Sequence, residues 1–182
     1  NLGNTGGHDI GTWQGSSDGF SSASGNDMLR QSVSTLPAGT QVRVFLSLDG
    51  RAEFVDGNGN LTSLAKADLD ALMQVFKEKN LQLIPVLMSF DVADGGGVAD
   101  HPEWFEDPIK RDQMIKNYSQ MVIYLNSQDP DHKVIAAWEL INEPDGMKVK
   151  PQDIAITLIG LANMVRKIAP ETPITVGMRR VE

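Results

Sequence analysis

The sequence predicts an α/β fold in which parallel strands alternate with helices. Apolar segments that suit strands begin near residues 41, 81, 134 and 173, and segments with the apolar spacing of amphipathic helices lie between them. Each strand-and-helix unit takes roughly 40 to 50 residues, as in alternating α/β chains. Because crossovers between parallel strands are right-handed, repeated units of this kind curl toward a barrel.

Composition permits one globular domain covering residues 1–182. The chain is 41% hydrophobic, enough for one sizeable core. Its formal net charge of −8 argues against nucleic acid or an anionic membrane as the main partner, because both are polyanions. There is no apolar run of about 18 residues that predicts a membrane span. The absence of cysteine excludes disulfides and thiolate metal sites but leaves the cellular compartment undecided.

The first 26 residues are rich in Gly, Ser and Asn and show no helix or strand period. Gly15-Ser-Ser17-Asp-Gly19 matches the nucleophile-elbow pattern G-x-S-x-G, but no apolar strand precedes it, so we do not expect a hydrolase serine here. A first helix is predicted from Asp27 to Leu36, capped by Asn26 or Asp27 and stopped by Pro37-Ala-Gly39.

The segment Thr40 to Leu48 is predicted to be a strand with Arg43, Phe45 and Ser47 on one face. A barrel strand is covered on both faces, so the Arg43 guanidinium needs a carboxylate partner. This requirement can be met by a structural ion pair or by a functional role of Arg43. Asp56-Gly-Asn-Gly-Asn60 begins like a calcium loop but lacks the later glycine and glutamate, so we interpret it as a turn.

Two helices and a strand are predicted in the middle of the chain. Leu64 to Lys79 has amphipathic spacing, and the strand Leu81 to Phe90 follows. Pro85 lies inside that strand and lacks an N–H, so we expect irregular pairing there. Asp107 is predicted to cap, and Pro108 to open, a helix that runs to about Asn126.

The segment Val134 to Leu140 predicts a buried parallel strand that delivers Asn142 and Glu143 to its carboxyl end. Ligands bind at the carboxyl ends of strands in such folds, so both side chains are candidates for chemistry. A helix from Pro151 to Ala169 and a strand from Pro173 to Met178 complete the pattern.

The heptapeptide Trp138-Glu-Leu-Ile-Asn-Glu-Pro144 resembles the fourth-strand signature of a clan of retaining β-glycosidases built on the TIM (β/α)8 barrel. The clan includes cellulase and β-mannanase families, among them glycoside hydrolase family 5. The resemblance implies that this chain is the amino-terminal part of such a barrel, covering roughly strands 1 to 5, with Leu2-Gly-Asn-Thr-Gly6 at the exit of the first. A His often found near the exit of the third strand is absent, which leaves the exact family open.

The resemblance also implies residue roles. Glu143 would be the catalytic acid/base, Asn142 would donate to the sugar hydroxyl beside the anomeric carbon, and Arg43 would bond the catalytic carboxylates. Asp91 either contacts a sugar hydroxyl or caps a loop, and Trp104 either stacks on a pyranose ring or packs on its own helix. We expect Glu139, deeper in the barrel, to be the ion-pair partner of Arg43.

Retaining glycosidases need a second carboxylate as nucleophile. The resembled clan places it on the seventh strand, which this chain does not reach, and Asp49, Asp91, Asp145 and Glu182 carry no mark of that role. The resemblance therefore implies a β-glycanase acting on mannan- or glucan-type polysaccharide or oligosaccharide, completed by a missing barrel half or another chain. A non-catalytic carbohydrate-binding or scaffold half-barrel is the alternative. We expect no cofactor and no metal site, and an extracellular or periplasmic location.

Overall fold

A four-stranded parallel sheet organises the molecule. The computed structural model describes residues 12–13, 19–47, 50, 52–96 and 100–179. The sheet contains β2 (Gln41–Phe45), β4 (Gln82–Ser89), β5 (Trp138–Asn142) and β6 (Ile174–Gly177), in that spatial order. A separate antiparallel pair joins β1 (Thr12–Trp13) to β3 (Ala52–Glu53).

Five helices lie in the described part of the chain: α1 (Ala23–Ser32), α2 (Ser63–Glu78), α3 (Glu103–Glu106), α4 (Pro108–Gln128) and α5 (Pro151–Ile168). A helix lies between each pair of neighbouring parallel strands, which confirms the predicted α/β alternation. None of the helices in these ranges is long and apolar enough to span a membrane.

The core lies between the sheet and its helices. On β2, Val42 and Val44 join this core, whereas Arg43 lies half-buried on the opposite face, as strand alternation requires. The largest fully buried side chains are Trp138, Tyr118, Phe76 and Phe105. The face of β2 that carries Arg43 is therefore turned away from the helices, toward the other side of the sheet.

The predicted boundaries of α2 and α4 are confirmed to within a few residues, because their caps are encoded locally. The Thr62 hydroxyl accepts from the Ala65 N–H at 3.1 Å, and the Asp107 carboxylate accepts from the Ile109 N–H at 2.8 Å. Asn80, just past α2, adopts a left-handed conformation with φ of 51°, which suits a helix end.

The predicted start of the first helix is wrong by four residues. Ser22 caps α1 by accepting from the Gly25 N–H at 3.0 Å, so the helix begins at Ala23. Asn26, one of the two predicted caps, lies inside the helix, where its side chain bonds the Phe20 carbonyl and the Arg30 guanidinium. The other, Asp27, is likewise an interior residue.

Pairing between β4 and β5 is irregular beside Pro85, as predicted. Ile135 lies opposite Leu83, and Glu139 lies opposite Val86. The segment leading into β5 therefore advances four residues while β4 advances three, as in a β-bulge. The interval on β4 contains Pro85, which has no N–H to offer. β5 therefore begins at Trp138 and not at the predicted Val134. The predicted exit of the first strand (Leu2 to Gly6), Ser17, Asp49 and Glu182 lie outside the described residues.

Candidate active site

The carboxyl ends of three neighbouring strands meet at one place. In the sheet register, Ser89 at the end of β4 pairs with Asn142 at the end of β5, and Asn142 pairs with Gly177 at the end of β6. Ligands bind at this edge of parallel sheets. The predicted site residues Asn142 and Glu143 are thus at the end of the sheet where a substrate would bind.

Arg43 reaches this edge from β2 and pairs with Glu139 of β5. Its Nε donates to Glu139 Oε2 at 2.7 Å, and its Nη2 donates to Glu139 Oε1, which gives the two-pronged geometry of a strong arginine–carboxylate pair. The Glu139 side chain is 4% exposed and that of Arg43 is 29% exposed. The prediction that Glu139 is the partner of Arg43 is confirmed. A bond from Arg43 to a catalytic carboxylate stays a prediction.

Asn142 is oriented by the same arginine. Arg43 Nη2 donates to Asn142 Oδ1 at 2.9 Å, and Asn142 Nδ2 donates to Ser89 Oγ at 3.3 Å. Because the amide oxygen is already engaged, the amide presents its NH2 group, which has a second N–H beyond the one directed at Ser89. Arg43 therefore fixes Asn142 as a hydrogen-bond donor, the role that the resemblance gives it.

Glu143 has an unusual backbone conformation. It follows β5 with φ of 53° and ψ of 49°, in the left-handed region. The other described non-glycine residues with positive φ are Asn80 and His132, which belong to the types that tolerate it better. Such strain costs on the order of 1 kcal/mol or more and is concentrated at functional sites. Strand alternation consequently does not set the side-chain direction of Glu143.

Gly177 is a site residue that the sequence analysis missed. Its carbonyl accepts from the Glu143 N–H at 2.8 Å. A Cβ atom at this position would lie 2.6 Å from Glu139 Oε1, 3.1 Å from Asn142 Oδ1 and 3.3 Å from Arg43 Nη2. Only glycine leaves room for this cluster. The signal was present, since a glycine in a strand pattern indicates close approach of other groups.

Asp91 lies just after β4, in a segment that contacts the residues following Glu143. It belongs to a short 3-10 helix, Phe90–Ala93, which packs against a second one, Pro144–Gly146. The Phe90 ring lies 3.1 Å from where a Cβ on Gly146 would be. Asp91 is half-buried, and its contact with a sugar stays a prediction.

Trp104 lies in α3, apart from the Arg43 cluster. Its ring stacks on His101, with ring centroids 4.3 Å apart and planes 5° from parallel. It lines a cavity that shares no described residue with the cluster of Arg43, Glu139 and Asn142. The structure therefore brings together three of the five predicted site residues, Arg43, Asn142 and Glu143, with Asp91 on an adjoining segment. Among the described residues, no group of three or more His, Asp or Glu side chains could hold a metal ion.

Comparison with known proteins gives structural matches. No family model and no curated protein matches the sequence. The fold is similar to that of a β-1,4-D-mannanase from Cryptopygus antarcticus, with a TM-score of 0.73 and 22% identity over 94% of this chain and 53% of that one. It is also similar to an endo-1,4-β-mannanase from Eisenia fetida, with a TM-score of 0.71 and 19% identity over 96% of this chain and 55% of that one.

A β-mannanase from the blue mussel Mytilus edulis gives a TM-score of 0.71 at 17% identity, over 96% of this chain and 56% of that one. The chain thus spans about half the length of the solved structures that it matches. At these identities the likeness concerns the fold. The chain therefore has a partial (β/α)8-barrel fold, similar to about half of each of these β-mannanase structures.

Proposed function

We propose that this chain is the amino-terminal part of a retaining β-glycanase, acting on mannan- or glucan-type polysaccharide, with Glu143 as its acid/base. The observation that carries the proposal is the position of Asn142 and Glu143 at the carboxyl end of β5, beside an arginine that orients the asparagine. The structural likeness to mannanases favours mannan as the first substrate to test.

In the first step, the Glu143 carboxyl would donate its proton to the glycosidic oxygen while a second carboxylate attacks the anomeric carbon. The bond from the anomeric carbon to that oxygen breaks, and a covalent glycosyl-enzyme forms. In the second step, the Glu143 carboxylate takes a proton from water, which attacks the same carbon and releases the nucleophile. One residue thus serves as acid and then as base.

Asn142 would act on the sugar that reacts. Its amide NH2, held in place because Arg43 occupies the amide oxygen, suits a hydroxyl of the ring bound beside Glu143. Hydrogen bonds at this position strengthen in the transition state and contribute several kcal/mol in glycosidases. Asp91, on the adjoining segment, is proposed to accept from another hydroxyl of the substrate.

The nucleophile would come from outside this chain. Retaining enzymes hold their two carboxyl groups about 5 to 5.5 Å apart, so the completing segment must reach the carboxyl end of the sheet. β6 is one edge of the described parallel sheet, and on this side Ile156 and Ile159 of α5 and Met178 are 50%, 61% and 55% exposed. We propose that this side is covered by the rest of the barrel, from a longer chain or from a partner.

Activity on a panel of mannan, cellulose and xylan tests the proposal, using the full-length protein that contains this chain. We expect hydrolysis of at least one β-linked glycan, with retained anomeric configuration. Glu143→Gln should lower the rate of hydrolysis about 10²-fold or more. The same Glu→Gln change at the exposed Glu171, which lies in neither proposed site, is the matched control. If the protein binds these glycans without cleaving any, the non-catalytic carbohydrate-binding alternative replaces the enzyme proposal.

A further inference from the structure

A cavity whose lining does not include Glu143 lies between the β3 region and the first half of α4. Its volume is about 430 Å³, within the range of about 300 to 1,000 Å³ that is typical of ligand pockets. Its floor is apolar, made by Phe54, Met114 and Tyr118. Its remaining lining residues are Gly50, Glu53, Val55, Glu103, Trp104, Lys110, Gln113 and Asn117.

Trp104 gives this cavity an aromatic wall. His101 stacks on one face of the indole, and Trp104 itself lines the cavity. Gly50 lies close to both rings, since a Cβ there would lie 2.8 Å from Trp104 Cη2 and 3.1 Å from His101 Cδ2, and its φ is 80°. The position of the indole is therefore set by its neighbours before any ligand binds. Aromatic faces suit the C–H faces of sugars.

The rim of the cavity is polar and carries charges of both signs. Lys110, Gln113 and Asn117 lie along one side of α4, and Gln113 Nε2 donates to Asn117 Oδ1 at 2.8 Å. This bond leaves the Gln113 oxygen and the Asn117 NH2 group for a ligand. The side chains thus offer both donors and acceptors, which is what a polyhydroxylated molecule needs.

The charges argue against an anionic ligand. Burial opposes ionisation of Glu103, but hydrogen bonds from its own backbone N–H and from His101 prevail and hold its pKa below the usual value. Glu103 and Glu53 are two carboxylates against one lysine in the lining, so an anionic ligand is disfavoured. Carboxylates accept hydrogen bonds from sugar hydroxyls at no such electrostatic cost.

We propose that this cavity is a second carbohydrate-binding site, taking a short segment of a neutral β-linked oligosaccharide with one pyranose ring on Trp104. The choice of a β-linked sugar rests on the proposed function, whereas the existence of a neutral-sugar site rests on the cavity itself. Such a site would hold the polysaccharide at a place away from the reacting bond.

Nuclear magnetic resonance on the full-length protein tests this, using the Glu143→Gln variant and mannotriose as the probe. We expect mannotriose to shift the indole N–H signal of Trp104 and the side-chain amide signals of Gln113 and Asn117. Gln113→Ala and Asn117→Ala should each raise the Kd at this site about two- to tenfold, the size of one hydrogen bond. Gln120→Ala, on the same helix but outside the cavity, should leave the Kd unchanged.

The outcomes separate the two proposals. If mannotriose shifts only the Asn142 amide signal and none of the cavity signals, the second site is wrong while the acid site stands. If the cavity signals shift but Glu143→Gln still hydrolyses the glycan at the wild-type rate, the cavity stands and the assignment of Glu143 is wrong. Equal Kd values for Gln113→Ala, Asn117→Ala and Gln120→Ala would also overturn the second site.

Discussion

Replacement of Gly177 by alanine probes the geometry of the site with a single methyl group. The new Cβ would lie 2.6 Å from Glu139 Oε1, whereas ordinary contact begins at 3.4 Å, so these atoms must separate by about 0.8 Å. Glu139 cannot move without strain, because it is buried and held by two bonds from Arg43. The shift therefore passes to Asn142 and to the Glu143 backbone, which bonds the Gly177 carbonyl.

The expected size of the effect follows from that displacement. A misplacement of about 1 Å at a catalytic group costs about 10²-fold in rate, so we expect kcat to fall about 10- to 100-fold in the full-length enzyme. Overpacking should also lower the free energy of unfolding by about 1 to 3 kcal/mol. Steady-state kinetics on mannan oligosaccharides and denaturant unfolding measure the two effects.

Gly57→Ala is the matched control, because nothing lies within 4 Å of a Cβ there and its φ is not positive. It should leave both the kinetics and the stability unchanged. A Gly177→Ala enzyme with kcat within twofold of the wild type would refute the reasoning, since the cluster would then tolerate the methyl group. A loss of stability without a loss of kcat would confine Gly177 to a structural role.

Three further predictions concern stability. Arg43→Met should lower the free energy of unfolding by about 3 kcal/mol, because it leaves the Glu139 carboxylate buried and unpaired. Glu139→Gln should lower it by less, since Arg43 keeps partial access to water. Denaturant unfolding of the two variants compares these losses. If the exposed side of α5 is covered in the full-length protein, Ile159→Lys should lower the free energy of unfolding by about 2 kcal/mol or more. Ile109→Lys, at an 80% exposed position, should change it by no more than about 0.5 kcal/mol. Because the pKa of Glu103 is lowered in the folded protein, the wild type should be more stable than Glu103→Gln at a pH above the usual glutamate pKa. This difference in stability should disappear as the pH falls through the lower pKa of the folded state. Thermal melts at several pH values measure it.

Local signals in the sequence were sufficient for most of the fold. The caps Thr62 and Asp107 lie within a few residues of the helices that they start, so α2 and α4 could be predicted closely. The first helix was predicted to start four residues too late, because Asn26 and Asp27 are capping types, whereas Ser22 caps the helix and Asn26 bonds Phe20 and Arg30 from inside it. The start of β5 depends on pairing with β4, which is a nonlocal property.

The site was predicted in part. Alternation along β2 and the charge of Arg43 were enough to demand a carboxylate, and Glu139 supplies it across 96 residues of sequence. A glycine at position 177 signals a close approach, but the three side chains that approach it belong to two other strands and could not be identified from the local pattern. The left-handed backbone of Glu143 was equally hidden, because its side chain type favours no such conformation.

The dependence of the Glu143→Gln effect on the leaving group tests the central claim most directly. An acid catalyst matters most when the departing oxygen needs a proton, so we expect a loss of about 10²-fold or more on a β-mannan oligosaccharide. On an aryl β-mannoside with a strongly acidic phenol, bond cleavage needs little protonation, and the first step should proceed at a rate close to that of the wild type. An equal loss on both substrates, or no loss on either, would contradict the assignment of Glu143 as the acid.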